Sequence, residues 1–187
     1  MKIIDNNEMT EILKEVLSYE ESVWDHLHNN GRRPIREFGT SEWVGTKDYF
    51  FSVDNASVDY LQTILSKAEM GVVFAMCNMV KWYEYWNCLY SRKTGAAHTK
   101  ESLMEEIGME EAPFKLLIQE LVNNSVIYLL DGEVNGVNIV RYILNPTLAR
   151  KDGGFAKKCV SLFEDLREKS PLGFPKIMGI EQILIKQ

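Results

Sequence analysis

The sequence predicts a mainly α protein of α+β type, in which amphipathic helices surround one small β-hairpin. Three observations carry that expectation. Apolar residues recur at spacings of three and four through residues 10–29, 57–91 and 99–124, which gathers them on one face of a helix. Two runs, residues 125–130 (SVIYLL) and 137–144 (VNIVRYIL), concentrate β-branched and aromatic side chains and are separated by turn dipeptides. The chain has 187 residues, 45% of them hydrophobic, enough for one substantial core.

Taken in order, the first helix is expected over residues 10–29. Thr10 serves as its N-cap, Ile12, Leu13, Val16, Leu17, Val23, Trp24 and Leu27 form its apolar side, and Asn29, Asn30 and Gly31 stop it. His26 and His28 are two apart and point to different sides of such a helix, so they do not read as a metal pair. Residues 31–55 are irregular, with short strands expected at 42–44 and 49–53. Arg32, Arg33 and Arg36 lie close to Trp43, Tyr49, Phe50 and Phe51, a mixture that can stack single strands or simply pack its aromatics on the helices behind. A short helix follows over 57–66.

Ser66 with Glu69 forms a capping box for the next segment, residues 65–91, which is apolar almost all round and reads as one buried central helix. Its methionines and aromatics are read as core, with a ligand pocket or dimer surface as the other reading. After the loop 92–97, Thr99 caps a helix ended by Gly108. Met109 to Ala112 form a turn, and Pro113 stands in the first turn of a second helix that buries Phe114, Leu117, Ile118, Leu121 and Val122. Asn123 and Asn124 end that helix. Asp131-Gly132 and Asn135-Gly136 are the expected turns of the hairpin, and Asn145-Pro146 terminates it. A basic, glycine-containing loop (148–154) leads to a last amphipathic helix over 155–169 and an apolar tail that suits a partner subunit or the parent domain equally.

The bulk numbers bound the function. Charged residues are 26% of the chain, and no run reaches the ~18 apolar residues of a membrane span. The N-terminus lacks the pattern of a secretory signal, so a cytoplasmic location without membrane association is expected. Three cysteines, widely spaced, make neither a disulfide framework nor a zinc pattern, and Cys77 and Cys88 read as core. A net charge of −6 counts against a surface that binds nucleic acid all over, but is compatible with a local basic face. No phosphate-cradling glycine loop and no nucleophile elbow is present, so neither an enzyme nor a cofactor is expected.

What remains is residues 98–146, whose order of helix, turn, helix and hairpin is that of a winged helix-turn-helix. The expected division is an N-terminal extension (1–56), a winged-helix domain (57–154) and a C-terminal helix and tail (155–187). Over residues 99–154, and especially in Asn145-Pro146-Thr147-Leu148-Ala149-Arg150-Lys151-Asp152-Gly153-Gly154, the chain resembles the winged-helix proteins of Firmicute plasmids and phages, among them the RepL-type plasmid replication initiators. The resemblance implies binding of double-stranded DNA in replication initiation or transcription regulation, with homodimer formation a further expectation.

The basic and amide residues placed to meet DNA are Arg92, Lys93, Lys100, Lys115, Gln119, Arg141, Arg150, Lys151, Lys157 and Lys158. The second helix, however, opens on carboxylates, which repel phosphates. A second expectation is therefore a protein-binding module whose acidic residues Glu105, Glu106, Glu110 and Glu111 engage a basic partner, as an inhibitor of a nucleic-acid-binding protein would.

Overall fold

The computed structural model describes residues 4–29, 52–80, 86–150 and 156–171. The expectations placed on the aromatic loop (Arg32, Arg33, Arg36, Trp43, Tyr49, Phe50 and Phe51), on Lys151 and on the apolar tail lie outside these residues. Within them, helices pack around an antiparallel hairpin, the α+β arrangement read from the sequence.

Helix α1 spans Asn6–Asn29. It begins earlier than expected because Asp5, not Thr10, is the cap: its carboxylate accepts the backbone N–H groups of Asn7 and Glu8 at 2.9 and 2.8 Å. Thr10 lies within the helix and its hydroxyl donates to the Asn6 carbonyl. Strand β1 (Ser52–Val53) leads into α2 (Asn55–Ile64), whose cap is Asp54. Helix α3 (Lys67–Met79) starts at the predicted capping box, with Ser66 N–H donating to Glu69 at 2.7 Å and Glu69 N–H to the Ser66 hydroxyl at 3.3 Å.

The single central helix expected over 65–91 does not form. The helix stops at Met79, and residues 88–90 run extended: Cys88 pairs antiparallel with Ile143, Leu89 with Val80, and Tyr90 with Ala97. Asn87 makes the change of direction. It adopts φ 57°, and its side-chain amide donates to the carbonyls of Leu144 (2.9 Å) and Ala149 (3.1 Å). A short run that is apolar all round suits an extended segment buried on both sides as well as a buried helix, and periodicity does not separate the two.

Helices α4 (Lys100–Ile107) and α5 (Glu111–Asn123) follow, then β2 (Ile127–Val134) and β3 (Val137–Leu144), paired antiparallel from Ile127↔Leu144 to Val134↔Val137. Residues 88–90 flank β3 on its other side, through Leu89 N–H to the Tyr142 carbonyl (2.9 Å) and Leu144 N–H to the Asn87 carbonyl (3.0 Å). Only the Asn135-Gly136 turn is used. Both residues have positive φ, 53° and 79°, as a two-residue hairpin loop of type I′ requires. Asp131-Gly132 is not a turn but lies inside β2, where a Cβ on Gly132 would stand 3.0 Å from Leu13 Cδ1 of α1. That glycine serves the close approach of a helix.

Beyond β3, the two-residue strand β4 (Ala149–Arg150) pairs with β1. The expected helix over 155–169 is broken into α6 (Lys157–Ser161) and a 3-10 turn, Leu166–Lys169. The break has a cause on β3's exit, where Asn145 holds the Glu164 carbonyl (2.9 Å) and the Thr147 hydroxyl accepts the Leu166 N–H (3.2 Å).

The hairpin separates two apolar layers, and its residues alternate between them as the pleat demands. Ile127, Tyr142 and Leu144 face a layer that includes Leu61, Met76, Leu103, Phe114, Leu117 and Leu121 of α2 to α5. Tyr128, Leu130, Val134 and Ile143 face Ile12, Leu13 and Val16 of α1, with Trp86, Cys88, Cys159 and Leu162. All three cysteines are buried and unbridged. No helix among the described residues is long and apolar enough to cross a membrane.

Candidate nucleic-acid interface

The corner between α4 and α5 is fixed by local chemistry. Thr99 caps α4, its hydroxyl accepting the Ser102 N–H (3.2 Å) while its own N–H donates to the Ser102 hydroxyl (2.9 Å). Gly108 ends the helix in the left-handed region at φ 69°, which lets Met109 N–H reach back to the Met104 carbonyl. Leu103 and Phe114 are buried where the helices meet the core. Phe114 also meets the Tyr142 ring edge-on at 6.5 Å, tying α5 to the hairpin.

With Phe114, Leu117 and Leu121 turned inward, α5 presents Ala112, Lys115, Leu116, Gln119 and Asn123 as one exposed stripe. Gln119 donates to the Asn123 side chain at 3.0 Å. Leu116 is 74% exposed. Sequence reading singled out Lys115 and Gln119 but missed Leu116 and Asn123. Leu116 falls outside the apolar face of α5, a signal that the sequence already held. At the hairpin tip, Val137 and Asn138 are exposed as well.

The four cations expected at this corner are each held by a carboxylate from the same corner. Arg92 Nε donates to Glu106 Oε1 at 2.9 Å, and Lys93 lies 3.5 Å from Glu105. Lys100 of α4 and Lys115 of α5 both close on Glu111 Oε1, at 2.5 and 2.9 Å. These two lysine bonds bring the Glu111 carboxyl down to about 2. Glu106 is nearly enclosed; burial opposes its ionisation, but the bonds from Arg92 outweigh it and hold its carboxyl below the usual range. Glu110 is exposed and makes no side-chain cap bond to α5. Residues 92–123 carry four cations and six carboxylates, a net charge of −2 with His98 neutral.

The remaining expected contacts lie elsewhere. Arg141 does not project from the hairpin for a phosphate. It is mostly buried, forking onto Glu20 of α1 at 2.9 and 2.8 Å, and the Tyr90 hydroxyl donates to the same carboxylate at 3.0 Å. Lys158 is paired with Glu15 of α1. Lys157 is exposed on α6, and the backbone of Arg150 is occupied by pairing with Ser52. The helix-corner cations and the α1-facing Arg141 and Lys158 are therefore engaged by different parts of the chain.

Asn145, the first residue of the phrase that carries the family resemblance, is fully buried. Its amide donates to the carbonyls of Ser125 (2.8 Å) and Glu164 (2.9 Å), and its oxygen accepts the Thr147 N–H and hydroxyl, both at 2.9 Å. Here the residue joins three chain segments and makes no external surface.

Beneath the corner, His98 is buried, with Nδ1 3.0 Å from the Ser102 hydroxyl and Nε2 3.6 Å from Glu106 Oε2 without a hydrogen bond. Burial pushes its pKa below 6.5, against the pull of Glu106 and of the Tyr90 backbone. The folded state thus binds fewer protons than the unfolded chain just below pH 6.5, and stability rises with pH there. The contribution is complete above 6.5 and is lost as pH falls towards the folded pKa. Thermal melting should drop between pH 7.5 and 5.5 in the native protein and drop less in His98→Gln, as read by circular dichroism. Equal drops in both would rule out this role for His98.

Among the described residues, no group of three His, Cys, Asp or Glu side chains could hold a metal ion. A shallow depression lined by Glu11, Lys14, Glu15, Ser18 and Tyr19 lies along α1 alone. Comparison with protein-family models, with curated proteins and with solved structures finds no match.

Proposed function

We propose that the chain is a winged helix-turn-helix protein that binds double-stranded DNA, with α5 as the recognition helix and the β2–β3 turn as the wing tip. The order of α3, the extended residues 88–90, α4, α5, β2 and β3, with β3 between the other two strands, supports the winged-helix reading. The observation that carries DNA binding is the exposed stripe of α5. Gln119 and Asn123 suit adenine, Ala112 and Leu116 suit the thymine methyl group, and Lys115 beside them suits a backbone phosphate. The resemblance to RepL-type initiators adds a replication origin or operator as the class of target.

The test is a selection of duplexes from a random pool followed by anisotropy titration at low salt. Gln119→Ala should weaken the selected duplex by about 1–3 kcal/mol and relax the preference at one base position. A flat titration across the pool removes the proposal. One observation favours the protein-binding reading instead: Leu116 protrudes at the centre of a corner whose net charge is −2. A protein partner lost on Leu116→Asp, with no duplex bound, would establish that reading.

A further inference from the structure

The most unusual feature of the corner is that two lysines from different helices share one carboxylate oxygen. Lys100 stands at the start of α4 and Lys115 one turn into α5, yet both ammonium groups lie within 3 Å of Glu111 Oε1. An acidic residue at the opening of a recognition helix is otherwise hard to reconcile with a phosphate backbone. We propose that Lys100 and Lys115 form a phosphate-binding clamp for a DNA phosphodiester, and that in the free protein Glu111 occupies it as a built-in substitute for the phosphate.

This rests on the DNA-binding reading above and adds a site and a mode of control to it. A carboxylate oxygen and a phosphate oxygen make the same demand on an ammonium group: a single negative acceptor within hydrogen-bond distance. All three side chains are at least one-third exposed, so the pair bonds are screened and exchange readily with a competing anion. The depressed carboxyl of Glu111 keeps it charged, and competing, throughout the neutral range. When a phosphate enters, the glutamate must swing out. Part of the lysines' attraction for DNA is thereby cancelled, which lowers affinity for every sequence alike. Discrimination is left to the bases read by the rest of the stripe.

The experiment compares the native chain, Glu111→Gln, and Glu111→Gln combined with Lys100→Ala and Lys115→Ala. Each is titrated by anisotropy against a labelled random-sequence duplex at three salt concentrations, with circular dichroism melting to verify folding. Glutamine keeps the size of the side chain and removes its charge. Glu111→Gln is expected to bind about tenfold tighter than the native chain, with a log K against log salt slope steeper by about one. The triple variant is expected to lose that gain. Native binding with no gain in Glu111→Gln, or a gain that persists without the two lysines, overturns the clamp while leaving DNA binding intact. Absence of binding by both the native chain and Glu111→Gln overturns DNA binding itself, and the clamp with it.

Discussion

Replacing Asn145 by alanine should destabilise the fold by about 3 kcal/mol or more, because four hydrogen bonds around a fully buried side chain are lost together. The carbonyls of Ser125 and Glu164 would be left without their amide donor, and Thr147 without its acceptor. For a chain of this size the melting temperature should fall by about 10 °C. The prediction separates two roles for the Asn145-Pro146 phrase. If Asn145 acts on DNA, its loss weakens binding in a protein that melts normally. If it joins segments, as its contacts indicate, the protein melts early, and whatever remains folded binds as before. Urea titration followed by tryptophan fluorescence distinguishes the outcomes, and an unchanged midpoint would refute the structural role.

The second large effect concerns Glu20 and Arg141. Arg141→Ala should cost about 2–3 kcal/mol, since it leaves a partly enclosed carboxylate facing the Tyr90 hydroxyl without its guanidinium. Removing both partners should cost less than the two single losses added together, because the charge left behind in each single variant is gone. A double-mutant cycle measured by urea unfolding gives the coupling directly. A coupling below about 0.5 kcal/mol would mean that the ion pair does not hold α1 to the hairpin. If the chain binds duplexes as proposed, a folded Arg141→Ala protein should bind them nearly as the native chain does, in contrast to the role expected of Arg141 from sequence.

How far the sequence could be read depended on how local each determinant was. The caps at Ser66 and Thr99, the stop at Gly108 and the turn at Asn135-Gly136 are chemistry within four residues, and each stands where it was expected. The failures share a different cause. Residues 88–90 become extended because Asn87 is pinned by Leu144 and Ala149, partners 57 and 62 positions away. The last helix breaks because Asn145 and Thr147 reach across to residues 164 and 166. Gly132, read as a turn signal, is a glycine for the sake of Leu13.

The candidate site shows the same division. The inward face of α5 was legible from its period, and with it the corner on which a reading surface would stand. The pairing of Arg92, Lys93, Lys100 and Lys115 with the neighbouring glutamates was not, because a list of charges gives no partners. Arg141 is the clearest case. From sequence it is a basic residue on a hairpin; its partner Glu20 lies 121 positions earlier.

The packing of α1 on the far face of the hairpin also sets a timetable. Its partners in β2 and β3 are made more than a hundred residues after it, and the Ser57 hydroxyl waits for a carbonyl 90 positions on. Contacts at such separation close slowly, because the entropy of a long loop is lost before any packing is gained. While the chain emerges from a ribosome, the apolar side of α1 lacks its β2 cover until residues 127–134 have been made. Until then that face of α1 is apolar surface of the kind on which a chaperone finds purchase.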